Sequence, residues 1–165
     1  MSLRINGWLL VCSLIFLPFT IKAAPAFVTK PFYASSMQEI FALRQGKPFI
    51  VGLWSLSCSH CRDDLILLAS LSQQYPQLDL VLIATDTLDD ADTVQTTLAT
   101  YKLNKTESWV FADDFTEQLR YSIDRRWQGE LPRTYFYDAS HQARAISGKL
   151  DAAQTRNWVH AQYAR

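Results

Sequence analysis

Short apolar runs alternate with amphipathic stretches along most of the chain, a pattern that predicts strands separated by helices. Two of the runs are almost continuously apolar, as in strands that are covered on both faces. The predicted strands lie at residues 49–56, 78–84, 109–111, 134–137 and 143–147, with a turn at 138–142 joining the last two as a hairpin.

The intervening stretches have helical spacing and begin near residues that cap helices. Ser36 and Glu39 have the spacing of a capping box for the first helix, and Asp151 is placed to cap the last one. The predicted helices lie at residues 37–43, 63–75, 89–101, 113–121 and from 151 onward. Alternating elements require parallel strands with crossover helices, so we predict an α/β domain with a mixed central sheet, flanking helices, and a C-terminal β-hairpin plus helix.

The first 26 residues differ in character from the rest. Arg4 precedes an apolar stretch at 8–19, and alanines follow at 23, 24 and 26, which is the order of a secretory signal peptide. The alternative is an uncleaved membrane anchor, since the segment from Ile5 to Ile21 lies between two charges and is close to the minimum spanning length of about 17 residues. Either assignment predicts that residues 27–165 form an exported domain.

Composition limits the size and the partners of that domain. The chain has 165 residues and is 48% hydrophobic, enough for one compact core. Its 16 basic and 16 acidic residues balance, and no long run of either sign occurs, so charge gives no indication of nucleic-acid binding.

Two of the three cysteines stand close together in the predicted domain. Cys12 lies in the N-terminal apolar stretch, which leaves Cys58 and Cys61 for the exported part. A disulfide between them closes a very short loop and would constrain little chain, so the pair calls for a chemical explanation. Cys58 lies where a buried strand gives way to a helix, and a helix N-terminus stabilises a thiolate. Cys58 is therefore the predicted nucleophile, and Cys61 the predicted resolving thiol.

His60 lies between the two cysteines and permits two interpretations. As an imidazolium it would favour the thiolate of Cys58; as a surface residue it would have little influence. Cys58, His60 and Cys61 together could also bind Cu(I) or Zn(II), although a fourth ligand is not evident. A redox-inactive interaction domain is a third alternative, which the presence of both cysteines disfavours.

The segment WSLSCSHC, followed by a helix and later by ELPRTYFYD and ISGKLD, resembles the TlpA-like branch of the thioredoxin superfamily. That resemblance spans roughly residues 49–159 and implies a thioredoxin-like fold. Members are periplasmic or membrane-tethered thiol:disulfide oxidoreductases, commonly reductases that serve cytochrome c maturation. It further implies protein substrates with disulfides or thiols, a membrane-bound thiol electron donor, and no cofactor.

The resemblance also assigns roles to single residues. Trp54 corresponds to the family's aromatic residue near the dithiol, and Pro132 to its cis-proline, which leaves the backbone at Leu131 free to pair with substrate. Gly52 stands where thioredoxins carry a buried aspartate, so another group must handle the proton of Cys61. Asp86 is the candidate, with a turn residue as the alternative.

The residues between the cysteines leave the direction of electron flow open. Ser59 and His60 replace the Glu-Pro or Pro-Pro pair common in the reductases. A disulfide oxidase or isomerase is accordingly the alternative to a reductase.

Overall fold

Eleven α-helices and β-strands follow one another along residues 28–164, which are the residues that the computed structural model describes. In order they are β1 (Lys30–Phe32), α1 (Ser36–Ala42), β2 (Phe49–Trp54), α2 (Cys61–Gln74), β3 (Leu80–Ala84), α3 (Ala91–Thr100), β4 (Glu107–Phe111), α4 (Thr116–Ile123), β5 (Arg133–Tyr137), β6 (Ala143–Ser147) and α5 (Ala152–Tyr163). The predicted signal peptide or anchor lies outside the described residues. Within them, no helix combines the length and apolar character needed to cross a membrane.

The strands form one sheet in the order β1-β4-β3-β2-β5-β6. Strands β1, β4, β3 and β2 are parallel, whereas β5 runs antiparallel to β2 and pairs with β6 as a hairpin. This confirms the predicted α/β fold with a mixed central sheet, a C-terminal hairpin and a final helix. The central strand β2 is buried along its whole length, as its continuous apolar run predicted.

Side chains of β2 alternate between two hydrophobic cores, one on each face of the sheet. Ile50 and Trp54 pack with buried residues of α2, α3 and α5. Phe49, Val51 and Leu53 pack with buried residues of α1 and α4. The sheet therefore lies between two helical layers, and α2 packs directly on the strand that leads into it.

Two local predictions differ from the structure. Strand β1 was not predicted; it is three residues long and pairs with the edge of β4, so it leaves little periodic signal. The capping box at Ser36 was also wrong, because Ser36 is the first residue of α1 and its hydroxyl accepts a hydrogen bond from the Tyr33 N–H at 2.9 Å. By contrast, Asp151 caps α5 as predicted and accepts from the Gln154 N–H.

A buried arginine ties α1 to the parallel strands at the end of the sheet away from the cysteines. The Arg44 side chain is 6% exposed, and its guanidinium donates to Asp79 at 2.9 and 3.0 Å and to Glu107 at 2.6 Å. Lys30 donates to the second oxygen of Glu107 at 2.9 Å. Burial opposes the ionisation of Glu107, but the hydrogen bonds from Arg44 and Lys30 outweigh it and lower the pKa of that carboxyl.

We expect Arg44→Met to lower the free energy of unfolding by about 2–4 kcal/mol at neutral pH, because it leaves the half-buried Glu107 with one cation fewer. Since the pKa of Glu107 is lower in the folded protein, its stabilising contribution is present at neutral pH and is lost as acid protonates it. The difference in the free energy of unfolding between the wild-type protein and Arg44→Met should therefore become smaller in acid. Urea unfolding measures both effects, and Lys47→Met, at an exposed position, is the control. Equal stability of the two variants at neutral pH would contradict this role.

Candidate active site

Strand β2 and helix α2 are joined by a six-residue loop, 55–60, at the carboxyl end of the parallel strands. The loop opens with a tight turn in which the Cys58 N–H donates to the Ser55 carbonyl at 3.2 Å. The hydroxyls of Ser55 and Ser57 also lie 3.2 Å apart. These contacts present Cys58 just before the helix, and they place Cys61 at the first position of α2.

The two predicted thiols are joined in a disulfide, with their Cα atoms 5.4 Å apart. Cys61 is 1% exposed and belongs to the hydrophobic core, whereas Cys58 is half-buried at the surface. The backbone N–H of Cys61 lies 3.2 Å from the sulfur of Cys58. An N–H at the start of a helix favours negative charge on that sulfur, so the geometry makes Cys58 the accessible and polarised member of the pair.

Trp54, the last residue of β2, packs beside the disulfide. It is 3% exposed and shares a hydrophobic cluster with Cys61. Its indole N–H is buried and has no hydrogen-bond partner among the described residues. The role of Trp54 beside the dithiol stays a prediction.

A groove of about 170 Å³ opens next to Cys58. It runs between the start of α2 and the end of α3, and it combines the dithiol with aromatic, hydroxyl and cationic side chains. Its lining includes Trp54, Cys58, Cys61, Arg62, Thr97 and Tyr101. A chain bound at Cys58 would find both polar and aromatic surface in this groove.

The peptide bond between Leu131 and Pro132 is cis, as the resemblance implied. Pro132 is buried and lines a small cavity together with Cys61, so it lies against the dithiol. Neither the N–H nor the carbonyl of Leu131 forms a hydrogen bond within residues 28–164. These groups could pair with an extended chain, a mode of peptide binding by strand addition.

Arg133 holds the segment that leads to this proline. Its guanidinium donates to Asp124 at 3.0 Å and to Glu130 at 3.3 Å, and its side chain is 14% exposed. The Asp124 carboxylate also accepts from the Tyr135 hydroxyl at 3.2 Å. The loop before Pro132 is thereby fastened to β5.

Asp86 follows β3 and contacts the loop that carries Cys58. Its two carboxylate oxygens lie 3.0 and 3.2 Å from the Leu56 N–H, two residues before Cys58. Burial raises the pKa of Asp86, and the hydrogen bond from Leu56 only partly offsets this effect. Asp86 is therefore positioned to hold the loop in place.

His60 is exposed at the N-terminus of α2 and forms no hydrogen bond within the described residues. Its charge acts on the neighbouring Asp63, where it makes a minor contribution to lowering the pKa, behind the salt bridge to Lys149. Across residues 28–164, no group of three His, Cys, Asp or Glu side chains is arranged to hold a metal ion.

Sequence reasoning missed one residue of this site, Asp64. It is 4% exposed, one helical turn after Cys61, and its neighbour Asp63 is exposed and bonded to Lys149. Cys61, Asp64, Leu65 and Leu68 share the buried face of α2. That spacing was the available signal, because an acid three residues after a buried cysteine falls on the same side of a helix.

No protein-family model matches the chain. A search of curated proteins likewise yields no match. Solved structures, however, share its fold. A secreted disulfide oxidoreductase of Mycobacterium tuberculosis, described as homologous to E. coli DsbE, is 24% identical with a TM-score of 0.58, over 73% of this chain and 85% of that one.

Two further structures superpose similarly. A thiol:disulfide interchange protein of the thioredoxin family from Chlorobium tepidum is 19% identical with a TM-score of 0.60, covering 74% of this chain and 83% of its own. A secreted thiol-disulfide isomerase from Corynebacterium glutamicum is 14% identical with a TM-score of 0.60, covering 76% and 75%. The structural neighbours are thus thioredoxin-fold thiol:disulfide oxidoreductases, which confirms the predicted resemblance at the level of the fold.

We expect Asp86→Ala to speed hydrogen exchange at the Leu56 amide, because the substitution removes the acceptor of that N–H. The lost bond to a charged group should lower the free energy of local opening by about 1–2 kcal/mol. Asp86→Asn keeps an acceptor oxygen and should retain most of the protection. Amide exchange followed by NMR measures this, and unchanged exchange of Leu56 in Asp86→Ala would show that the contact does not hold the loop.

Proposed function

We propose that the protein is an exported thiol:disulfide oxidoreductase that acts on protein disulfides through Cys58 and Cys61. The observation that carries this proposal is the disulfide at the start of α2, which joins a surface sulfur to a buried one. A disulfide that closes so short a loop would add little to the stability of the fold. A redox pair requires this asymmetry, since one sulfur must meet the substrate and the other must reach only its partner.

In the reducing direction, the cycle starts from the dithiol. The Cys58 thiolate attacks one sulfur of a substrate disulfide; that bond breaks, a mixed disulfide forms, and the first substrate thiolate leaves and is protonated. Cys61 then loses its proton and attacks the sulfur of Cys58. The disulfide between Cys58 and Cys61 forms, the second substrate thiolate leaves, and two electrons have moved from the enzyme to the substrate.

The substrate chain would bind across the surface around Cys58. Its backbone could pair with the N–H and carbonyl of Leu131, which have no partner in the described residues, beside Pro132. A side chain next to the substrate sulfur would enter the groove lined by Trp54 and Tyr101. Asp86 serves as a positioning residue, because it holds the loop that carries Cys58.

The finer parts of the proposal rest on the resemblance to the TlpA-like branch. They are a net reductase activity, service in cytochrome c maturation, a membrane-bound thiol donor that regenerates the dithiol, and a periplasmic location. Residues 1–26 would direct export or tether the domain formed by 27–165. The secreted oxidoreductase and isomerase among the structural neighbours support export, and they leave an oxidase or isomerase as the alternative direction.

Insulin reduction with a dithiol donor tests the role of each cysteine. We expect Cys58→Ser to abolish turnover, because the nucleophile is lost. Cys61→Ser should also stop turnover while accumulating a mixed disulfide between Cys58 and the substrate, visible by non-reducing electrophoresis and mass spectrometry. Unimpaired turnover in the Cys58→Ser variant would rule out the proposal.

The reduction potential of the pair tests the direction. A value near about −270 mV, the thioredoxin end of the known range, would support a reductase. A value near about −120 mV would instead identify a strong oxidant. Equilibration with glutathione buffers, with the dithiol fraction determined by alkylation and mass spectrometry, gives the potential directly.

A further inference from the structure

The groove beside Cys58 contains one charged side chain and several hydroxyls, and among the described residues no carboxylate lines it. The charged side chain is Arg62, at the start of α2. The hydroxyls come from the loop after β2 and from the end of α3, and they belong to Ser55, Thr97, Thr100 and Tyr101. The lining therefore combines positive charge with groups that can donate hydrogen bonds.

Arg62 is exposed, and its guanidinium forms no ion pair or hydrogen bond within the described residues. The acids that follow it on α2 are engaged elsewhere: Asp63 is bonded to Lys149 at 2.6 Å, and Asp64 accepts a backbone hydrogen bond at 3.0 Å. Exposed arginines are ordinarily solvated, but this one stands in the wall of a groove that opens at the accessible sulfur. A guanidinium in such a position can bind a carboxylate through two parallel N–H groups.

Three further groups of the lining have no hydrogen-bond partner among the described residues. They are the indole N–H of Trp54 and the hydroxyls of Thr97 and Tyr101. The Thr100 hydroxyl, by contrast, donates to the Thr97 carbonyl at 2.7 Å. The N-terminus of α2 adds the positive end of a helix dipole at the same place. A cation, free donors and a helix N-terminus together favour an anionic group in the groove.

The size of the groove limits what can enter it. Its volume of about 170 Å³ is well below the roughly 300–1,000 Å³ of sites that hold a whole small-molecule ligand, so it suits a single side chain. Because the groove opens at Cys58, the side chain that enters it belongs to a residue close to the substrate cysteine.

We infer that the groove binds an aspartate or glutamate side chain adjacent to the reacting cysteine of a polypeptide substrate, with Arg62 as the residue that selects it. This inference rests on the proposed function and specifies its substrate class. The interaction acts on substrate binding, so it should raise the rate of the bimolecular step at Cys58. In free solution an acidic neighbour has the opposite effect, because its charge repels an attacking thiolate.

Single-cysteine peptides, joined as symmetric disulfides, test the preference. The residue directly before or directly after the cysteine is Asp, Asn or Lys. Each reduced protein molecule forms the disulfide between Cys58 and Cys61 and releases two peptide thiols, so two electrons pass to the peptide. Acid quenching, alkylation and mass spectrometry give the bimolecular rate constant, which is divided by that of the same peptide with dithiothreitol.

We expect Asp to react about threefold to tenfold faster than Asn at one of the two positions after this normalisation, and Lys to react more slowly than Asn. High salt should reduce the preference, because it screens an exposed ion pair. Equal rates for Asp and Asn at both positions, or a preference for Lys, would overturn the inference.

Substitutions of Arg62 test whether this residue is the source of the preference. Arg62→Gln should lower the Asp-to-Asn ratio to less than about twofold, whereas Arg62→Lys keeps the charge without the planar fork and should give an intermediate ratio. Arg156→Gln is the matched control, since it removes an exposed arginine of α5 that does not line the groove. It should show the wild-type ratio. A wild-type ratio in Arg62→Gln would refute the assignment.

Filling the groove tests where the acidic side chain binds. Thr97→Phe places a large ring in the lining and should also bring the ratio below about twofold. Thr96→Phe adds the same ring at an exposed position of α3 outside the groove and should leave the ratio unchanged. Full preference in Thr97→Phe would mean that the anion binds elsewhere, and the inference would fail.

The wild-type peptide series separates this inference from the proposed function without relying on any variant. If the reduced protein reacts with none of the peptides, the proposed function fails and the inference fails with it. If it reduces all of them at equal normalised rates, the oxidoreductase assignment stands and only the preference for an acidic neighbour is lost.

Discussion

The constraint on which the rest of the site depends is the short connection between β2 and α2. Strand β2 is buried on both faces, and α2 must turn back within six residues to pack on the same sheet. The first residue of α2 belongs to the hydrophobic core, whereas the residue three positions earlier lies in the loop and stays at the surface. In this chain those positions hold Cys61 and Cys58, so the fold itself makes one sulfur buried and the other reachable.

Residues from distant parts of the chain complete the site around that connection. Asp86 reaches from the end of β3 to the loop before Cys58, and Pro132 packs on the inner side from the start of β5. Leu150 donates its N–H to Asp64 from the segment before α5. Each contact joins α2 or its loop to the carboxyl edge of the sheet or to the hairpin that closes it. The redox pair thus sits where several elements meet.

The local signals in the sequence predicted the elements that carry the chemistry. A continuous apolar run predicted β2, helical spacing predicted α2, and the resemblance implied the cis bond before Pro132. What the sequence could not indicate depends on tertiary contacts. The hydrogen bond from the Leu150 N–H to Asp64, which joins residues 86 positions apart, is one such contact. Ser36 looked like a cap, yet its hydroxyl is engaged by the preceding turn.

The asymmetry of the two sulfurs can be measured directly by timed alkylation of the fully reduced protein at neutral pH, with mass spectrometry locating the label. Cys58 should react at least about tenfold faster than Cys61, because it is accessible and its thiolate is favoured by the helix N-terminus. Equal labelling of the two cysteines, or faster labelling of Cys61, would contradict the division of roles between an attacking and a resolving thiol.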